Sequence, residues 1–242
     1  MRLVLLGPPG AGKGTQAVRL AAATGARHIA TGDLVRQEIA AGTPLGRTLQ
    51  GYNDRGELVP DQLIIDLVAP RIAAVPSWIL DGFPRDEAQA RALDAVLAAH
   101  ATPVEHVIAL RIADEDLVTR MQGRRISGAT GKTYNLWSDP PPRDDPGPFV
   151  QRADDHPEEI RRRLAVYHQS TEPLLAYYAA RGLLRRIDAG GPVAEVAQRL
   201  LTALGGPAPA VDLPAGAVAA PSGITSCPAH HGQPPGASDV HP

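Results

Sequence analysis

A single cysteine, Cys227, stands among 242 residues, so no disulfide can form within the chain. Aromatic residues make up only 4%, with two phenylalanines and two tryptophans, and any core must be packed mainly by aliphatic side chains. No run of about 18 apolar residues occurs, which excludes a membrane-spanning helix. The apolar stretch at 3–6 is too short for a secretion signal and runs straight into glycines. Net charge is nearly missing as well: 24 Lys+Arg almost cancel 26 Asp+Glu, leaving no global field to draw in nucleic acid or an anionic membrane. These absences predict a cytoplasmic protein with no nucleic-acid or membrane partner. They leave any phosphate chemistry to local clusters of arginine.

What the chain does have is length and alternation. A chain of this size buries roughly 70% of its unfolded surface, enough for one large domain with appendages. That domain is expected over 1–204. From Gly205 onward, 38 residues hold 8 Pro and 6 Gly, two charges (Asp212 and Asp239) and no Lys or Arg, so 205–242 is expected to be a disordered tail. Cys227, His230 and His231 spell C-x-x-H-H there, but a flexible segment offers a metal no supporting shell. The motif reads as adventitious metal binding or nothing, with a regulatory or partner role as the alternative.

Apolar runs at 3–6, 28–30, 78–81, 106–110 and 184–187 predict strands. Between them, 13–23, 33–41, 61–74, 87–98, 115–121, 157–180 and 193–204 carry helical periodicity. Strands alternating with helices predict an α/β fold around a mostly parallel sheet. Residues 127–150 fit neither period, holding Gly128, Gly131, three consecutive prolines and Gly147, and predict an irregular lobe.

Residues 7–15 read GPPGAGKGT, between the strand pattern LVLL and the helix pattern QAVRLAAA. Gly7, Gly12 and Lys13 match the phosphate-binding loop in the strand–loop–helix context that the loop needs. Glycines let backbone N–H groups converge on an anion, the next helix points its positive end at it, and Lys13 adds a compact charge. Of 24 basic residues only Lys13 and Lys132 are lysines, so the ammonium at 13 stands out in a chain that otherwise uses arginine. Gly14 separates Lys13 from Thr15, so a hydroxyl for Mg²⁺ would come from Thr15 or from elsewhere. Gly-rich turns also join strands to helices in folds that bind nothing, and the downstream residues decide between the two.

Downstream stand TGDLVR at 31–36, GELVPD at 56–61, DGFPR at 81–85 with Gln89 one turn on, GRR at 123–125, and RRRLAVYHQSTEPLLAYY at 161–178. Asp81 ends an apolar strand at the sheet edge where parallel sheets bind ligands, which suits a Mg²⁺ held through water; a helix cap is the plainer alternative. The Gln89 amide matches the donor–acceptor edge of adenine. With the loop, these motifs resemble the adenylate kinases, nucleoside monophosphate kinases that interconvert ATP plus AMP with two ADP, and the resemblance runs from Met1 to about Leu204. It implies a P-loop NTPase three-layer sandwich with a five-stranded parallel sheet, a helical NMP-binding lobe at 32–60 and a lid at 127–150. For ATP it implies contacts from Gly10, Ala11, Gly12, Lys13, Gly14, Thr15, Arg120, Arg124 and Gly191. For AMP it implies Thr31, Gly32, Arg36, Glu57, Val59, Gly82, Arg85, Gln89, Arg152 and Arg163. Lys13, Arg85, Arg124, Arg152 and Arg163 would be catalytic, Asp81 would hold Mg²⁺, and the enzyme would be a monomer.

Some positions depart from the family pattern. Zinc-bearing lids use cysteines, and this lid offers Ser127, Thr130, Asp144 and Asp145, so a zinc-free lid held by hydroxyl–carboxylate hydrogen bonds is expected. Asn53 replaces an apolar residue, usually Met, and either weakens AMP packing or points outward. Asp86 reads as a helix cap. Gly191, where relatives carry Lys, suits a backbone contact. Arg161 and Arg162 read as a solvated face. Two rivals stay open: a kinase for another monophosphate, against which Thr31 and Gln89 speak, and a nucleotide-binding regulatory or RNA-processing protein, against which the intact arginines speak.

Overall fold

A computed structural model describes residues 1–55, 59–152 and 155–205, together with the backbone but not the side chain of Asn53. The chain divides into two units, Met1–Pro209 and Ala210–Pro242, and every described residue belongs to the first. Glu57, the Asn53 side chain and the tail with Cys227, His230 and His231 lie outside the described residues.

Strand β1 (Arg2–Leu6) is followed by α1 (Lys13–Thr24), β2 (Arg27–Ala30), α2 (Thr31–Ala40), α3 (Pro44–Arg55), α4 (Asp61–Ala73), β3 (Trp78–Asp81), α5 (Glu87–Ala99), β4 (His106–Arg111) and α6 (Asp114–Gln122). The lid then contributes β5 (Arg124–Ser127), β6 (Thr133–Asn135) and β7 (Phe149–Val150). The chain returns through α7 (Pro157–Val166), a π-helical turn (Tyr167–Thr171), α8 (Leu174–Ala179), β8 (Leu184–Asp188) and α9 (Val193–Gly205).

Five strands pair in parallel in the order β2-β3-β1-β4-β8. Apolar side chains cover both faces of this sheet, as buried parallel strands require. Leu3 and Leu5 pack with Ala17 and Leu20 of α1, Leu117 of α6 and Leu200 of α9. Val4 and Leu6 face Val68 of α4, Leu93 of α5 and Tyr178 of α8. The result is helix, sheet and helix in three layers. All five predicted strands are present. β1 has β3 on one side and β4 on the other, and the crevice above its carboxyl end is where open parallel sheets bind ligands.

Two expectations need correction. The lobe at 127–150 is not irregular: β5, starting earlier at Arg124, pairs antiparallel with both β6 and β7. Its strands are too short, and too rich in glycine and proline between them, for an alternating pattern to show. The single helix expected over 157–180 is broken, because Pro173 has no N–H to continue the ladder. Glu172 N–H instead reaches back five residues to the Tyr167 carbonyl at 2.9 Å, closing a π turn. Helix α3 lies in the lobe at 32–60 that the resemblance implied to be helical, but no apolar period announces it, since PLGRTLQGYNDR buries only Leu49 among its large side chains. Thr43 Oγ1 accepts from Gly46 N–H at 2.8 Å and donates to Glu38 of α2 at 2.9 Å, so a cap and a neighbouring helix fix α3 in place of an apolar stripe.

Candidate active site

The loop after β1 turns on three glycines with positive φ: Gly7 at 146°, Gly10 at 84° and Gly12 at 90°. Gly10 also has no room for a side chain, because a Cβ would lie 2.7 Å from Met121 Cγ. The loop is thereby seated on α6. Gly12 stands at the head of α1, whose free N–H groups and positive dipole end face the loop. Lys13 Nζ folds back over it, donating to the carbonyls of Gly7 at 2.7 Å and Pro8 at 2.9 Å. Burial lowers the Lys13 pKa to about 8; Asp81 opposes the shift, while Arg85, Arg163 and Arg124 add to it. Residues from three separate parts of the chain thus act on one ammonium.

The opposite wall comes from β2, β3 and α5. Asp81 ends β3, and a Cβ on Gly14 would stand 3.4 Å from its Oδ2, so the carboxylate overlies the first turn of α1. His28 Nε2 lies 3.5 Å from the same oxygen. Thr31, buried at the head of α2, donates its hydroxyl to the Asp81 carbonyl at 2.9 Å, and Gly82, with φ of 85°, leaves the space that this hydroxyl fills. Arg85 opens into the crevice and gives Nε–H to the Gly82 carbonyl at 3.0 Å. The protein around it strips away water and lowers its pKa, with Arg163 and Arg36 adding to the shift and Asp81 opposing it. Gln89 is buried; its amide donates to Asp61 at 2.8 Å and accepts from Arg85 N–H at 2.8 Å. One amide proton and one oxygen lone pair remain on it. Asp86 caps α5 by accepting from Gln89 N–H at 2.9 Å, as expected.

Arg124 leaves the hinge between α6 and β5 and forms a two-pronged pair with Asp155, which is fully buried. Asp155 is a residue that the sequence reading missed; the acid pair at 154–155, next to Arg152, was its one signal. Asp145 gathers the lid: its carboxylate accepts from Ser127 at 2.7 Å, Thr130 at 3.0 Å, Tyr134 at 2.8 Å and Gly147 N–H at 3.0 Å. These hydrogen bonds hold its pKa down at about 2, Ser127 contributing most. The hydroxyl–carboxylate network is the expected one, with Tyr134 added and, among the described residues, no hydrogen bond to Asp144 in it.

The structure therefore brings Lys13, Asp81, Arg85, Arg124 and Arg163 into one electrostatic group. Arg36 reaches it only through its effect on Arg85, since its guanidinium pairs with Asp33 on α2. Arg120 gives its carbonyl to Asn135 of the lid at 2.9 Å. Val59 packs against the core, Gly32 lies beside the Arg36 guanidinium, Ala11 is buried in the loop and Thr15 lies half-buried in the first turn of α1. Arg152 passes its carbonyl to Asp155 N–H at 3.1 Å. Gly191 is exposed before α9, beside Glu195 and Arg199. Arg161 and Arg162 are exposed, as expected.

A glycine loop between a parallel strand and a helix, closed by one lysine and faced by arginines from separate elements, defines a P-loop phosphoryl-transfer protein. The family model described as adenylate kinase matches residues 5–183. An adenylate kinase of Salinibacter ruber is 46% identical over 207 residues, covering 84% of this chain and 98% of its own length. Those of Acidothermus cellulolyticus (45% over 212 residues, 84% and 98%) and Thermodesulfovibrio yellowstonii (44% over 204 residues, 81% and 95%) are similar over nearly the same span. The chain belongs to the adenylate kinase family.

Proposed function

We propose that the group around Lys13 carries the reaction of the family, phosphoryl transfer between adenine nucleotides: ATP and AMP in, two ADP out, and the reverse. The observation that supports this most is the convergence of Lys13, Arg85, Arg124 and Arg163, whose mutual repulsion is relieved by a polyphosphate lying among them.

In this reading an oxygen of the AMP phosphate attacks the γ-phosphorus of ATP. The bond to the β–γ bridging oxygen breaks, and its electron pair leaves with ADP. The attacking oxygen is already ionised near neutral pH, so no side chain has to act as base. Catalysis reduces to alignment and charge neutralisation. The N–H groups of residues 10–15 and Lys13 cradle the ATP phosphates. Arg36 and Arg85 hold the AMP phosphate, and Arg124, Arg152 and Arg163 neutralise the group in transit, each worth on the order of 10³-fold in rate. Gln89 reads adenine with its remaining proton and lone pair, beside Thr31, Gly32, Val59 and Gly82. Arg120 and the Gly191 backbone border the ATP nucleoside.

Asp81 and Thr15 offer the oxygen donors that Mg²⁺ prefers, and the carboxylate already stands over the first turn of α1. Among the described residues no group of three or more His, Cys, Asp or Glu is arranged to hold a metal, and Mg²⁺ needs none, because phosphates and water complete its shell. When bound, Mg²⁺ neutralises phosphate charge during transfer. Water would compete as acceptor, so the lid and the helices α2 and α3 close over the substrates before transfer. No helix among the described residues is long and apolar enough to cross a membrane. The family resemblance supports a monomer, and the lone cysteine suits the reducing cytoplasm.

The test is to supply ADP and Mg²⁺ alone and to measure ATP and AMP. Equimolar formation of both is expected. A protein that binds ADP without converting it would overturn the reading.

A further inference from the structure

Four of the five large apolar side chains exposed among the described residues lie in the lid: Leu136, Trp137, Phe149 and Val150. Trp137 is the most exposed of them, at 60%, yet its ring has a defined seat. Its ring rests on Gly123, where a Cβ would fall 2.5 Å from two ring carbons. Gly123 has an ordinary helical φ of −80°, so the indole, and not the backbone, demands glycine there. The segment carrying the ring is pinned to the end of α6: Asn135 donates to the Arg120 carbonyl at 2.9 Å, and Leu136 N–H donates to the Gly123 carbonyl at 2.9 Å. Asn135 Oδ1 in turn accepts from the N–H groups of Trp137 at 3.0 Å and Ser138 at 3.1 Å.

The same last turn of α6 touches the phosphate loop, through Met121 against Gly10. A flat apolar ring thus stands open at the end of the helix on which the phosphate loop rests, beside Arg120 and Arg124. A nucleotide with its triphosphate in the loop extends its ribose and base beyond the phosphates. The AMP side of the site, built by α2, β3 and α5, contributes no exposed aromatic ring among the described residues. An indole face stacks on any base, contributing about 1–3 kcal/mol.

We propose that Trp137 is the stacking surface for the base of the phosphoryl donor, and that it makes donor recognition tolerant of which base is present. This rests on the reading that ATP places its phosphates in the loop. Trp78 is buried in the core, so a nucleotide-dependent change in tryptophan emission belongs to Trp137.

The experiment combines titration and kinetics on the full chain. ATP and GTP should change the emission, and tripolyphosphate and AMP should leave it unchanged. Trp137→Ala should raise the KM for ATP and GTP alike, roughly 5- to 150-fold, which is the stacking energy converted at 1.4 kcal/mol per factor of ten. The KM for AMP should stay within twofold. Trp137→Phe, which keeps a ring, should recover most of the donor KM while losing the emission signal. An unchanged ATP KM in folded Trp137→Ala, an equal rise in the AMP KM, or equal responses to tripolyphosphate and ATP would each overturn the proposal. A wild-type protein that makes no ATP from ADP would instead refute the reading on which it rests.

Discussion

Lys13 is an ammonium whose charge is held against opposition, with burial and three guanidinium groups lowering its pKa to about 8. Near pH 8 about half of the molecules therefore carry a neutral amine in the cradle. A polyphosphate favours the charged form and raises the pKa on binding, so binding takes up a proton. ATP affinity should then fall as pH rises through 8. Calorimetry of ATP binding without Mg²⁺ at pH 8, in two buffers of different ionisation enthalpy, should show uptake of roughly half a proton; equal heats in both would contradict the shift. Lys13 was legible because glycine spacing and the scarcity of lysine single it out. Asp155 was not. One acid among the many charges between Arg152 and Glu159 reads as solvated, and only the approach of Arg124 across 31 residues buries it.

Between elements, close approach leaves little trace in sequence. Gly46 lies in the first turn of α3, and a Cβ there would stand 2.0 Å from the Glu38 carbonyl oxygen of α2. Alanine in a helix normally stabilises by up to about 1 kcal/mol over glycine. Here the neighbour is backbone and cannot rotate away, so Gly46→Ala should destabilise, by about 1–3 kcal/mol as overpacking does. Denaturant unfolding checks the sign, and a rise in midpoint would show that α2 and α3 separate freely. The five strands of the core sheet were legible because both of their faces are apolar. Helix α3 was not, since one buried leucine gives no period.

The broken helix after α7 carries a second device. His168 sits in the π turn with Nδ1 2.8 Å from Glu172 and Nε2 2.9 Å from Asp114 at the start of α6. Both ring nitrogens can donate only when the imidazole is charged, and the two carboxylates raise its pKa. A raised folded pKa adds stability that is complete below the ordinary value near 6.5 and is lost as pH rises through the raised one. His168→Gln should therefore melt below wild type at pH 6, with the gap closing toward pH 9. The groups are largely exposed, so the difference stays below about 1 kcal/mol. A gap that widens with pH would reverse the assignment.

At the scale of the whole molecule, the parallel sheet and the lid are held by different physics. Apolar burial on two faces builds the sheet, whereas the lid strands pair over two or three residues and converge on one carboxylate. That network could be anticipated from serine, threonine and aspartate standing where zinc-bearing relatives place cysteine. The strands themselves could not, because glycine and proline interrupt every alternation. Removing the hub should release the lid alone. Asp145→Ala is expected to abolish slow amide exchange across 127–147 while the exchange of β1, β3 and β4 stays at the wild-type rate. The hub also resists acid. Hydrogen bonds hold Asp145 near a pKa of 2, so its contribution is complete above the ordinary carboxylate pKa near 4 and is lost only as pH falls toward 2. Lid protection in the wild type should consequently survive a shift from pH 6 to pH 4; lid amides that open over that interval while the sheet stays closed would show that another, ordinary carboxylate carries the lid.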